Sequence, residues 1–211
     1  MAKIYIVDKG NKINYRYLKE SLPENVLKIV NKYTDIKSFE SSLIGWYVLY
    51  NNLKKNHNID LANEEIVFND YGKPFVNNVY FNISHSKNLI SVIIGDNECG
   101  IDIEKVNENH HKDKLVLRVL SDEELLFNNN NIEYFIKQWT KKEAYYKMKG
   151  TGISFEKLKQ NINFPVCTYE ILDIMNEKYY MSISIEDDFD VYRVENEKLC
   201  ISKIVEQLLA V

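Results

Sequence analysis

Hydrophobic positions in this chain recur with two spacings, and those spacings predict most of its elements. The opening run Lys3–Val7 reads as a strand. After Pro23, Val26, Leu27 and Val30 fall at helical spacing and predict a helix over Asn25–Tyr33. Phe39, Leu43, Trp46, Tyr47 and Tyr50 recur at three- and four-residue steps, predicting a longer helix over Lys37–Lys54. Tyr71-Gly72-Lys73-Pro74 is a turn. Leu89–Ile94 is a continuous run rich in β-branched residues, the pattern of a buried strand. Gly95–Gly100 then turns the chain into a second strand, Ile101–Val106, and the pair is predicted to form a hairpin.

The polar stretch Asn107–Asp113 reads as a linker, dividing the chain into residues 1–106 and 107–211. Ser121-Asp122-Glu123-Glu124 is a helix start, with Ser121 as N-cap and Glu124 closing a capping box. Asparagines 128 to 131 end that helix, and a long one follows over Ile132–Lys149, stopping at Gly150. Strands are predicted at Val166–Leu172 and Tyr179–Ile185, and a closing helix from Leu199. Each half thus combines helices with an antiparallel sheet, an α+β class suggestive of duplication.

Composition narrows the function. With 45% hydrophobic residues the chain can bury a proper core. A formal charge of −4 argues against a general nucleic-acid binder. Cys99, Cys167 and Cys200 lie far apart without a CxxC pair, which fits reduced thiols better than disulfides or zinc. The first residues are too quickly charged for a signal peptide, and no apolar run approaches the ~20 residues that span a bilayer. The expectation is a soluble, cytoplasmic protein.

Three constellations carry chemistry. In Gly100-Ile101-Asp102-Ile103-Glu104, strand alternation puts Asp102 and Glu104 on one face and the isoleucines on the other. Two adjacent carboxylates suit a hard cation such as Mg²⁺, although a solvated acidic edge strand reads the same way. In Trp139–Lys147, Trp139, Glu143 and Lys147 form one helical stripe that could offer a third carboxylate and a phosphate-binding ammonium; an ordinary i,i+4 ion pair is the plainer reading. Phe81-Asn82-Ile83-Ser84-His85-Ser86 reads as a polar turn whose hydroxyls and imidazole could hold a phosphate, or merely cap the turn.

Taken in order, Tyr71-Gly72-Lys73-Pro74, Phe81–Ser86, Gly100–Glu104 and Trp139–Lys147 resemble the signature series of the 4'-phosphopantetheinyl transferases of the two-domain, surfactin-synthetase-activating type. The resemblance implies two similar α+β halves with the active site between them. It also implies transfer of phosphopantetheine from coenzyme A to an apo acyl or peptidyl carrier protein by a monomeric enzyme. By similarity, Asp102, Glu104 and Glu143 ligate Mg²⁺ and Lys147 steadies the α-phosphate and the leaving group. Ser84, His85 and Lys73 hold the adenosine 3'-phosphate, and Lys28, with Lys32 as a weaker match, binds phosphate. Glu124, or its neighbour Glu123, deprotonates the carrier serine. One departure is Glu40-Ser41-Ser42-Leu43, where the family often has an arginine shortly before. A carrier-binding module without catalysis and a Mg²⁺-dependent phosphodiesterase are the competing readings.

Overall fold

The computed structural model describes residues 1–9, 13–107, 113–186, 188–195 and 200–202. Its first element, β1 (Ala2–Asp8), alternates cleanly: Tyr5 and Val7 face one core while Ala2, Ile4 and Ile6 face another. Three helices follow, α1 (Tyr15–Ser21), α2 (Glu24–Val30) and α3 (Ile36–Asn56). Asp35 caps α3 by accepting from Ser38 N–H at 2.8 Å. Its middle, Leu43 to Leu49, is buried all round, so this helix forms the centre of the first core. Short strands β2 (Val67–Phe68) and β3 (Pro74–Phe75) flank the Tyr71–Lys73 turn.

Next come β4 (Tyr80–Ser86), β5 (Leu89–Gly95) and β6 (Gly100–Lys105). The segment read as a polar turn is therefore a strand: β4 pairs antiparallel with β5 from Tyr80↔Gly95 to Ser86↔Leu89. The predicted hairpin of Leu89–Ile94 with Ile101–Val106 does not form. β5 already has β1 and β4 on its two edges, which leaves no free edge for β6. β6 pairs instead with a strand about eighty residues later.

Beyond the linker lie α4 (Asp113–Val119), α5 (Asp122–Asn128), α6 (Ile132–Lys149) and α7 (Phe155–Leu158). The Ser121–Glu124 capping box is present, and Gly150 ends α6 with φ 62°, the left-handed conformation that glycine adopts without strain. Strands β7 (Val166–Leu172) and β8 (Lys178–Ser184) pair with β6 in the order β6-β8-β7. Two further strands, β9 (Phe189–Glu195) and β10 (Cys200–Ser202), return to the first sheet, whose order is β10-β9-β1-β5-β4. The helix predicted from Leu199 is thus a strand over Cys200–Ser202; the rest of that prediction lies outside the described residues.

The class is α+β. Hydrogen bonding crosses the 106/107 boundary in both directions: β6 joins β8 antiparallel, and β9 joins β1 parallel. The two sheets face each other across a core of Ile4, Ile6, Leu89, Ile93, Ile101, Ile103, Met181 and Ile183. Helix α3 covers the outer face of the first sheet, and α6 covers β6 and β8. No helix among the described residues is long and apolar enough to cross a membrane.

Candidate active site

The edges of the two sheets meet where β4 runs beside β6, and side chains take over the bonding there. Asn82 Oδ1 accepts from Ile101 N–H (3.1 Å), Ser84 Oγ from Ile103 N–H (3.4 Å) and Ser86 Oγ from Lys105 N–H (3.1 Å). Every second residue of β4 thus satisfies every second amide of β6, which an open sheet edge would leave unpaired. The serine hydroxyls then donate onward to the carboxylates of the same strand. Ser84 Oγ donates to Asp102 Oδ1 (2.8 Å) and Ser86 Oγ to Glu104 Oε2 (2.7 Å).

Helix α6 lies directly over this face of β6. A Cβ placed on Gly100 would come within 2.0 Å of Ala144 O and 2.4 Å of Met148 N, so glycine is what allows the helix so close. The approach sets the Trp139–Glu143–Lys147 stripe against the acidic strand. Lys147 Nζ donates to Asp102 Oδ1 (2.5 Å) and Ser84 Oγ (3.2 Å), and lies 3.4 Å from Glu143 Oε2. Trp139 Nε1–H donates to Glu143 Oε1 (2.7 Å) and sets the rotamer of that carboxylate.

The electrostatics follow from burial and crowding. Burial, then Asp102, pushes the Glu104 carboxyl up to about 7. Burial and Asp102 also raise the Glu143 carboxyl. For Lys147, burial opposes the charge, but Asp102, Glu143 and Glu104 outweigh it and hold the ammonium above its ordinary value. Three acids around one ammonium leave excess negative charge. Asp102 is 1% exposed, and its Oδ2 is buried without a hydrogen-bond partner. An orphaned carboxylate oxygen in an over-acidic pocket fits a divalent cation. Among the described residues, no three acidic, histidine or cysteine side chains form a ready-made metal cluster, and the Lys147 ammonium pairs with both Asp102 and Glu143.

A cleft of about 370 Å³ opens beside Lys147. Trp46, Phe81 and Ile83 contribute from the first half, Tyr146 and Ile153 from the second, and Asn82 adds a polar group. The other expected residues have varied placements. His85 is exposed at the β4 edge, with its imidazole pKa lowered by partial burial and by Lys9 and Lys147. Ser84 is buried and bonded to Asp102. Lys73 is buried too, and its ammonium donates to backbone carbonyls. Lys28 is exposed and pairs with Glu24 on its own helix. One turn on, Lys32 lies over the ring of Phe68, which lines the cleft.

Glu124 is not among the Asp102 group. Its Oε2 accepts from Ser121 N–H (2.7 Å) and from Lys142 Nζ (2.5 Å). The Lys142 ammonium is fully buried and also donates to Val119 O and Leu158 O. Glu123 accepts from Asn161 Nδ2 at the surface. Sequence reasoning missed Asn82 and Ser86. Their signal was the polar alternation 82-84-86, which reads as a strand face once a second edge lies beside it.

A family model described as the 4'-phosphopantetheinyl transferase superfamily matches residues 98–199, which span the acidic strand and helix α6. The chain is 30% identical over 164 residues to the 4'-phosphopantetheinyl transferase gsp of Aneurinibacillus migulanus, covering 72% of this chain and 68% of that protein. It is 29% identical over 119 residues to a 4'-phosphopantetheinyl transferase of Bacillus subtilis, covering 54% of this chain and 53% of the relative. Over 149 residues it is 26% identical to the 4'-phosphopantetheinyl transferase Sfp of Bacillus subtilis (strain 168), covering 67% and 65%.

Proposed function

The chain belongs to the 4'-phosphopantetheinyl transferase superfamily, and from that premise we propose that it moves the phosphopantetheine arm of coenzyme A to a serine of an apo acyl or peptidyl carrier protein. The serine oxygen bonds to the β-phosphorus of the pyrophosphate. The bond from that phosphorus to the bridging oxygen breaks, and 3',5'-ADP leaves with the electron pair. The observation that carries the reading is the Lys147 ammonium among Asp102, Glu104 and Glu143, beside a cleft between the halves.

Lys147 offsets the charge that develops on the departing diphosphate. Ser84 and Ser86 hold the Asp102 and Glu104 carboxylates in place, and Trp139 does so for Glu143. Asp102, Glu104 and Glu143 are the residues that would hold Mg²⁺, which supplies positive charge against the pyrophosphate when bound. Glu124 accepts the serine proton through Oε1, the oxygen that Ser121 N–H and Lys142 leave free. His85 and Lys32 face the adenosine end, against residues 1–106, while residues 107–211 receive the carrier. All these groups come from one chain, so a monomer is the proposed working form, with a cytoplasmic location where coenzyme A is to hand.

The test is incubation with coenzyme A, Mg²⁺ and a panel of apo carriers from fatty-acid, polyketide and peptide synthesis. The expected result is a mass gain of one phosphopantetheinyl group on the carrier serine, abolished by EDTA. Carrier binding without mass gain would leave a silent binding module. Coenzyme A hydrolysis without a carrier would leave a phosphodiesterase.

A further inference from the structure

Lys73 borders the cleft, yet its ammonium is taken up by the protein's own backbone. Its side chain is 8% exposed, and its ammonium donates to Met148 O at 2.7 Å and Cys99 O at 3.3 Å. Met148 is one residue past Lys147 on α6. Cys99 immediately precedes Gly100, where β6 begins and where α6 makes its closest approach. The ammonium therefore ties the end of the helix that bears Lys147 to the start of the strand that bears Asp102. A cation is suited to this place, because the last carbonyls of a helix carry partial negative charge and have no partner within the helix.

A second tether comes from the same turn and carries no charge. Asn69 Oδ1 accepts from the amides of Tyr71 (3.0 Å) and Lys73 (2.9 Å), which builds the turn. Asn69 Nδ2 then donates to Gly150 O at 2.7 Å. Two side chains of one first-half turn thus bind two carbonyls at the end of α6, those of Met148 and of its C-cap Gly150. Gly150 packs against both, since a Cβ placed there would lie 3.0 Å from Asn69 Nδ2 and 3.0 Å from Lys73 Cδ.

We infer that Lys73 and Asn69 are positioning residues: the turn Asn69–Lys73 clips the end of α6 onto β6, and so sets the Lys147 ammonium against Asp102 across the two halves. The clip acts on the geometry of the acidic pocket and makes no contact with the 3'-phosphate of coenzyme A. Its kinetic test rests on the transferase reading; its structural test does not.

The experiment compares Lys73→Met, Asn69→Ala and the wild type with coenzyme A and with dephospho-coenzyme A, which lacks the 3'-phosphate. Turnover is measured per folded molecule, well below each melting temperature. Leu18→Ala, in the first core away from the clip, controls for lost stability. Lys73→Met is expected to lower kcat by about tenfold to a hundredfold on both substrates alike, with Asn69→Ala similar and smaller. Leu18→Ala is expected to melt earlier with kcat unchanged. Amide hydrogen exchange in the last turn of α6 should quicken in both clip variants and not in the control. A KM increase confined to coenzyme A with kcat intact would overturn the inference and return Lys73 to the phosphate. Unchanged exchange at the α6 terminus would also overturn it. If the wild type modifies no carrier, the transferase reading fails, and the exchange result alone decides the clip.

Discussion

The two oxygens of Asp102 stand in different circumstances. Oδ1 holds Lys147 and Ser84, whereas Oδ2 is buried without a partner. Asp102→Asn therefore removes a charge that serves the pocket twice. We expect at least a hundredfold loss of turnover, a higher Mg²⁺ requirement and a lower melting temperature, because Lys147 loses its closest counter-ion. Glu143→Gln should also cost turnover, yet it should not lower the melting temperature. Its carboxyl is already crowded by burial and Asp102, so removing the charge relieves repulsion. Thermal melts with a Mg²⁺ titration check both, and a stabilised Asp102→Asn would contradict the ion-pair argument. Glu124→Gln separates two roles. Leaving the buried Lys142 ammonium without its carboxylate should cost roughly 3 kcal/mol of stability, while loss of the proton acceptor should lower turnover by about 10²–10⁴-fold at constant KM for coenzyme A. A stability loss with full turnover would move the base elsewhere. The acidic residues and the Trp139–Glu143–Lys147 stripe were legible because chemistry and period coincide on short segments. The backbone carbonyls that hold Lys73 and the buried Lys142 ammonium that Glu124 holds were not, since a lysine or glutamate in a sequence does not say whether its charge meets solvent, a ligand or a carbonyl.

Elements whose cap, period and end lie within one segment matched the structure, while readings that turn on which strand lies alongside did not. Helix α6 was legible over Ile132–Lys149 because its cap, period and terminal glycine all lie within it. The Ser121 capping box was equally self-contained. Helix α1 escaped because Leu18 is its one buried residue, too little for a period. Strand β4 looked like a turn because its alternate polar residues serve a neighbouring strand, and sequence pattern treats them as solvent-facing. The false hairpin had the same origin: Gly95–Gly100 does turn the chain, but edge availability decides which strands pair. The contact between β6 and α6 carries its own prediction. Gly100→Ala places a methyl against backbone atoms of α6 that cannot swing aside. The helix must lift from the strand, costing about 3 kcal/mol or more. Turnover should vanish even in molecules that remain folded, and normal activity in a folded Gly100→Ala protein would show that the helix can yield at this contact.

At the scale of the whole molecule, the second sheet is bound to helix α6 by a buried tyrosine. Tyr180 is 1% exposed, and its hydroxyl donates to Glu133 at 2.6 Å, with a Glu170 carboxylate oxygen also 3.2 Å away. Burial first, and then these carboxylates, raise its phenol far above the usual value. A phenol that ionises later in the folded chain than in the unfolded one stabilises fully below pH ~10, and that contribution fades as pH rises further. Tyr180→Phe loses one donated hydrogen bond and should cost roughly 0.5–1.5 kcal/mol at pH 7, yet decline less steeply than the wild type between about pH 10 and 11. Urea midpoints at the two pH values check this, and an equal or steeper decline would contradict it. The path of the chain through the two sheets has another effect, on the ribosome. β1 is made long before its second neighbour, β9, which ends at Glu195. From the synthesis of β1 until that of β9, one edge of β1 stays open, flanked by apolar side chains on both faces. A nascent chain stalled before β9 would thus present a templating edge to other chains, and its yield would depend on whatever shields that edge in the meantime.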